Sequence, residues 1–325
     1  MATYKGIQGF TIQNLSADPA DPNIGQVWYN STSGSWKVTS VTTAGSWATG
    51  NNLGTARRAL AGAGTQTAGL AFGGFDTANT GATEEYDGST WTANPTGLNT
   101  VRRVLAGAGT QTAALAFGGT DTAPLGATEE YDGSTWTSNP TGLNTARSQI
   151  AGCGIQTAAL AFGGFDTAAT AATEEYDGST WTSNPTGLNT ARLGLGGCGT
   201  QTSALAFGGS APSLTGVTEE YDGSTWTTSP GSLNTARELL GGAGIQTSAL
   251  AFGGATATVN IGATEEYNGT SWTTSPASLS TARSQLAGAG TQTAALAFGG
   301  DSPPQAATEE WTGPGAPLTQ TITVS

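Results

Sequence analysis

Twelve of the thirteen glutamates in this chain stand in six adjacent pairs: Glu84-Glu85, Glu129-Glu130, Glu174-Glu175, Glu219-Glu220, Glu265-Glu266 and Glu309-Glu310. Paired carboxylates are the equipment of glycoside hydrolysis, one serving as acid and the other as base or nucleophile. In a strand, however, neighbouring residues point to opposite faces, so Glu129 shares a face with Tyr131 while Glu130 shares the other with Thr128. Such a pair does not make one site. An arginine accompanies each pair, at Arg57, Arg102, Arg147, Arg192, Arg237 and Arg283. The expected role of one glutamate per pair is therefore an ion pair with an arginine, which needs good hydrogen-bond geometry to offset desolvation.

The remaining reactive residues narrow the chemistry further. There is no histidine, so imidazole bases, serine-histidine or cysteine-histidine nucleophiles and zinc or copper sites are not expected. Cys153 and Cys198 occupy one position of successive repeats, where the other copies carry Ala63, Ala108, Ala243 and Ala289. They read as small buried thiols, with a disulfide between adjacent copies as the alternative. Single aspartates in loops, Asp76, Asp121 and Asp166, do not supply the six to eight oxygens that calcium takes. No cofactor and no metal is expected. The net charge of -13 and the lack of lysine-arginine clusters argue against nucleic acid as a partner. The opening MATYKGIQGF has no apolar core of signal-peptide length, and no stretch approaches 18 apolar residues, so neither a cleaved signal nor membrane insertion is expected.

The glutamates recur because the chain recurs. The first glycine of AFGG falls at Gly73, Gly118, Gly163, Gly208, Gly253 and Gly299. A period in the mid-forties built of short strands signals a propeller blade. In the second copy the punctuation predicts strands over 104–109, 113–118, 127–131 and 134–137. Asp132-Gly133 forms the tight type I′ turn of the last hairpin, and Asn268-Gly269 takes its place in the fifth copy. The first strands are built of alanine and glycine, as expected where blades converge, and Leu, Phe, Tyr and Trp fill the wider space further out. The sixth copy stops at TEEW (308–311), with Trp311 in the tyrosine's place, while Ser46-Trp47-Ala48 matches the missing STW. The expected fold is all-β: a six-bladed β-propeller of four-stranded antiparallel blades, the last blade closed by an N-terminal strand, plus a small N-terminal β-hairpin. The expected segments are 1–44 for attachment, 45–313 for the propeller and 314–325 for a tail strand. The hairpin joins 27–29 to 36–38, and Ile322 and Val324 in the tail have strand spacing and could pair with it.

Two resemblances accompany this reading. Gly118, Gly119, Tyr131, Trp136 and Arg147, with Gly73, Gly74, Tyr86, Trp91 and Arg102 one period earlier, resemble the kelch repeat over about residues 45–313. That resemblance implies a propeller whose axial strand comes first in each blade. The copper chemistry known on that scaffold needs histidine ligands, which this chain lacks. The segment GQVWYNSTSGSWK (25–37) resembles short segments of bacteriophage tail and fibre structural proteins, and implies attachment to other virion proteins through the N-terminal region.

What differs between copies is the loop between the second and third strands: 75–81, 120–126, 165–171, 210–216, 255–262 and 301–306. Varied loops on a rigid frame suit recognition. Candidate ligand-binding residues are Phe75, Asp76, Asn79, Asp121, Leu125, Phe165, Asp166, Leu214, Asn260, Asp301 and Gln305, with Phe75 and Phe165 expected to be exposed. The leading expectation is a non-enzymatic bacteriophage virion protein, structural or binding a host-surface protein or glycan. A cellular, cytoplasmic kelch-type interaction module is the alternative, and a carbohydrate-active enzyme the third reading.

Overall fold

The computed structural model describes residues 13–20, 25–41, 44–301, 303–315 and 317–322; the opening MATYKGIQGF, the DPNI stretch at 21–24, Ser302 and Val324 lie outside the described residues. Among the described residues there is no helix, and the strands make seven four-stranded sheets. Six of these sheets lie in one compact unit, Ser46–Thr312; the seventh belongs to a second unit, Met1–Gly45 with Gly313–Ser325.

The second copy shows how the repeat folds. Its strands are Ala106–Thr110, Ala113–Phe117, Thr128–Tyr131 and Trp136–Asn139, each antiparallel to the next. The first strand starts two residues later than the sequence predicts, because Val104 turns into the left-handed region (φ 48°). The last strand also starts two residues late. Tyr131 pairs with Trp136, which leaves 132–135 as a four-residue loop in place of the expected two-residue turn. Gly133 alone of the four has positive φ (89°). The work of the turn is done by Asp132, whose Oδ1 accepts Ser134 N at 2.9 Å and Thr135 N at 2.7 Å, a side chain standing in for backbone.

The sixth sheet is composite. Ala287–Gly290, Ala294–Phe298 and Thr308–Thr312 come from the end of the repeats, and Ser46–Gly50 completes them, with Trp47 opposite Trp311.

Adjacent copies meet along seams that repeat the same contacts. Glycine is required in each first strand because the phenylalanine of the preceding copy lies on it: a Cβ on Gly107 would sit 2.6 Å from Phe72 Cζ, and one on Gly62 2.5 Å from Phe298 Cζ. Trp136 Nε1 donates to Thr83 Oγ1 of the preceding copy at 2.9 Å, and Trp91 does the same to Thr308. Gln111 Nε2 donates to the carbonyls of Gly69 (3.0 Å) and Tyr86 (2.7 Å), and Gln66 to those of Ala295 and Trp311. The first copy thus makes with the sixth the contacts that the second makes with the first. Leu115, Phe117 and Tyr131 are fully buried between seams, each aromatic removing roughly 150–250 Å² from water.

In the second unit the sheet order is Gln13–Leu15, Val27–Asn30, Ser35–Val41 and Pro317–Ile322. The tail strand pairs antiparallel with Ser35–Val41, and Gln13–Leu15 adds a parallel edge, making more than the expected hairpin. Asp18 Oδ1 accepts Asn30 Nδ2 at 2.7 Å and Trp28 Nε1 at 2.9 Å. These bonds hold its carboxyl below the ordinary range.

Candidate functional site

The variable loops stand on an invariant base, and the paired residues build it. Glu129, the first of its pair, meets the buried Arg102 at 3.2 Å, and the same ion pair recurs as Arg57–Glu84, Arg147–Glu174, Arg192–Glu219, Arg237–Glu265 and Arg283–Glu309. Arg102 also donates to the carbonyls of Gly118 (3.2 Å) and Ala127 (2.6 Å), which flank the loop 120–126. Glu129 accepts Asn99 N at 2.6 Å and Thr100 N at 3.2 Å. Burial pulls the Arg102 guanidinium down to about 10, against the attraction of Glu129. The next arginine holds the same loop through its backbone, Arg147 O accepting Gly119 N and Arg147 N donating to Leu125 O. The link between copies and the loop share one rim, as Leu143 N bonded to Gly126 O also shows.

The second glutamate of each pair has a different task. Glu85 accepts the phenol of Tyr131 and an amide hydrogen of Asn94, and Glu130, Glu175, Glu220 and Glu310 accept the phenols of Tyr176, Tyr221, Tyr267 and Tyr86. Burial and the neighbouring carboxylate raise these phenols, Tyr267 to about 12. Glu266 differs because Trp311 replaces the tyrosine. Its carboxyl is raised by burial, offset in part by a hydrogen bond from Ser275. Both glutamates of five pairs are thus engaged in holding the frame, and in the fifth copy Glu265 alone does so. Cys153 and Cys198 are free buried thiols; they lie against the carbonyls of Thr200 and Ile245. Burial pushes Cys198 up to about 12, which removes thiolate reactivity.

One residue of each copy joins a cycle of six backbone hydrogen bonds. Ala59 N donates to Gln285 O, Val104 to Ala59, Gln149 to Val104, Gly194 to Gln149, Leu239 to Gly194 and Gln285 to Leu239, at 2.7–3.0 Å. All six residues have φ of 48–61°. For the five that are not glycine, this region costs about 1–2 kcal/mol each. Inside the ring lies a cup of about 80 Å³ whose lining mixes Leu60, Leu105, Ile150 and Leu240 with the amides of Gln149 and Gln285.

Beside the cup, in three copies the first residue of the loop meets the residue that follows the arginine of the next copy: Asp301 with Arg58, Phe75 with Arg103 and Ser210 with Glu238. Asp301 takes Arg58 in a bidentate pair, both N–O distances 3.0 Å. Phe75 lies under the guanidinium carbons of Arg58 and Arg103, each 5.1 Å from the ring centre, and is half-buried, not exposed as the sequence reading expected; Phe165 is half-buried as well. Ser210 Oγ meets Glu238 Oε2. Asn79 joins Arg103 to the backbone of Asp121, and Asn260 Nδ2 reaches Asp301 O at 3.4 Å.

The loop aspartates serve their own turns. Asp76, Asp121 and Asp166 each accept two backbone N–H groups of the next residues, which lowers their carboxyls. Leu125, Leu214 and Gln305 are half-buried in the loop bases, where Leu125 N and Gln305 N bond to Gly119 O and Gly300 O. No group of histidine, cysteine or acidic side chains fit to hold a metal occurs among the described residues. The positions the sequence reading missed are Arg58, Arg103, Ser148, Leu193, Glu238 and Ser284. The signal was present, since the residue after the constant arginine changes along the copies. The chain matches no family model and no curated protein.

Proposed function

We propose that the chain is a six-bladed, kelch-like β-propeller that serves as a non-enzymatic virion protein of a bacteriophage. Its N-terminal unit attaches it to other virion proteins, and its rim binds a host-surface molecule. The observation that carries the reading is the contrast between frame and rim: seam contacts repeat from copy to copy, whereas the twelve positions around the cup hold Arg58, Phe75, Arg103, Thr120, Ser148, Phe165, Leu193, Ser210, Glu238, Ala255, Ser284 and Asp301. Side chains that differ in charge and size on a rigid base are what a recognition surface needs. The ring of backbone bonds supports closure at six blades. The phage-like segment at 25–37 supports the virion setting.

Immuno-gold labelling of purified virions tests this directly. Gold at one fixed position on the particle is expected. Protein found only in the soluble fraction of infected cells would overturn it.

A further inference from the structure

Every arginine of the repeat unit but one is matched by a carboxylate. Six are buried against glutamate and Arg58 is held by Asp301. Arg103 is the exception among the described residues. At the seam before Arg58, the loop supplies Asp301; at the seam before Arg103, the same loop position supplies Phe75. An aromatic face attracts a guanidinium without neutralising it. Asn79 then fixes the fork, its Oδ1 accepting Arg103 Nη1 at 3.2 Å while its Nδ2 donates to Asp121 O at 3.1 Å. Among the described residues, Nη2 and Nε find no protein acceptor; the side chain is half-buried, and its chain neighbour Val104 lines the cup. An uncompensated, oriented guanidinium on a chain of net charge -13 is a carboxylate receptor, because the fork matches a carboxylate with two parallel donors.

We propose that Arg103 anchors a site for the carboxylate of an acidic sugar, an inference that rests on reading the rim as a recognition surface. The surroundings favour a sugar over an acidic peptide. Arg103 N and O are both bonded to Thr120, at 3.0 and 2.9 Å, so the backbone at Arg103 is already paired and does not take a peptide strand. Asp76 and Asp121 stand in the two neighbouring loops, so every negative charge on a ligand beyond the one paired with Arg103 adds repulsion, which favours a single carboxylate on an otherwise neutral scaffold over a run of acidic residues. Gln149 and Val104, which line the cup, offer an amide to hydroxyl groups and apolar surface to a sugar ring.

The test is calorimetric titration of the full chain with the disaccharide glucuronosyl-galactose, with its methyl ester and with the tripeptide Gly-Glu-Gly. The acid disaccharide binds, and the ester and the Arg103→Gln variant bind about tenfold more weakly or worse, as expected for losing a charged hydrogen-bond pair. The melting temperature of the variant stays unchanged. Asn79→Ala, which frees the guanidinium without removing it, gives an intermediate loss. Failure of the native protein to bind the acid disaccharide, or binding that survives esterification or Arg103→Gln, overturns the proposal; tighter binding of the tripeptide overturns the assignment to sugar. Virion labelling is an independent readout, so a labelled particle without glucuronate binding defeats this site alone, and glucuronate binding by an unlabelled protein defeats the virion reading alone.

Discussion

Phe117 fills the space in which Gly152 would carry a side chain: a Cβ built on that glycine would lie 2.3 Å from Phe117 Cζ. The two residues belong to consecutive copies, so the missing methyl group sets how closely the copies approach. Gly152→Ala should cost about 1–3 kcal/mol through overpacking, read as a fall in the urea midpoint. Adding Phe117→Leu should recover part of it, because the shorter side chain vacates the ring position. Equal loss in the single and double variants would show that the glycine matters for another reason.

Much of this was legible in the residues themselves. The AFGG period, the alternation around Glu129 and Glu130 and the stray Ser46-Trp47-Ala48 led to the four-stranded repeat, the arginine ion pair and the composite sixth sheet. Strand ends were less legible, because Asp132 folds a four-residue loop through its side chain, and a dipeptide pattern alone cannot distinguish that from a two-residue turn. The rim was half legible. Loop variation is visible in one dimension, but which linker residue meets which loop is set by the register between copies, so the pairing of Arg58 with Asp301, 243 residues apart, leaves no local trace.

Arg147 lies fully buried and meets Glu174 at 2.9 Å, and it also binds the carbonyls of Gly163 and Ala172. Removing one partner of such a pair strands the other, at about 3–5 kcal/mol. Arg147→Met should lose that much in chemical denaturation. The double variant Arg147→Met, Glu174→Gln should lose less, because the stranded charge is gone.

Glu220 and Glu266 are equivalent in sequence and unequal in surroundings, since Tyr267 donates to Glu220 at 2.6 Å and Trp311 stands where Glu266 would find its phenol. Glu220→Gln should weaken the fold by about 1–3 kcal/mol, the range for a charged hydrogen bond. Glu266→Gln should be neutral or stabilising. The raised Glu266 carboxyl means that the folded state holds this proton more tightly than the unfolded one. Its contribution to stability is therefore present at low pH and fades as pH rises from the ordinary carboxylate value through the raised one. The variant should flatten that part of the stability profile.

Asp87, Asp132, Asp177 and Asp222 have carboxyls lowered by the backbone N–H groups they accept. A lowered folded value contributes stability above the ordinary carboxylate value of 3.8 and withdraws it as pH falls through the folded one. Asn268 makes the same loop with its amide oxygen, accepting Thr270 N at 3.0 Å and Ser271 N at 2.9 Å, and does not titrate. Replacing the four aspartates by asparagine should leave the fold intact and shift the acid unfolding midpoint to lower pH. A midpoint that stays put would place the acid sensitivity elsewhere.

The composite sheet ties residues 46–50 to the end of the repeats, with Trp47 packed 5.3 Å from Trp311 and 5.1 Å from Phe252 and its Nε1 donating to Thr264. Without that strand, Thr308–Thr312 loses its outer partner and the fifth and sixth copies lose the tryptophan shared between them. Repeat arrays draw stability from neighbour contacts, so an end left open should unravel first. A chain beginning at Asn51 should melt at a sharply lower temperature and over a broader range, followed by circular dichroism. Trp47→Ala in the full chain should reproduce part of the fall, at less than the roughly 3–5 kcal/mol of a fully buried aromatic because Trp47 is only partly buried. If the truncated chain melts like the native one, the strand Ser46–Gly50 does not close the array.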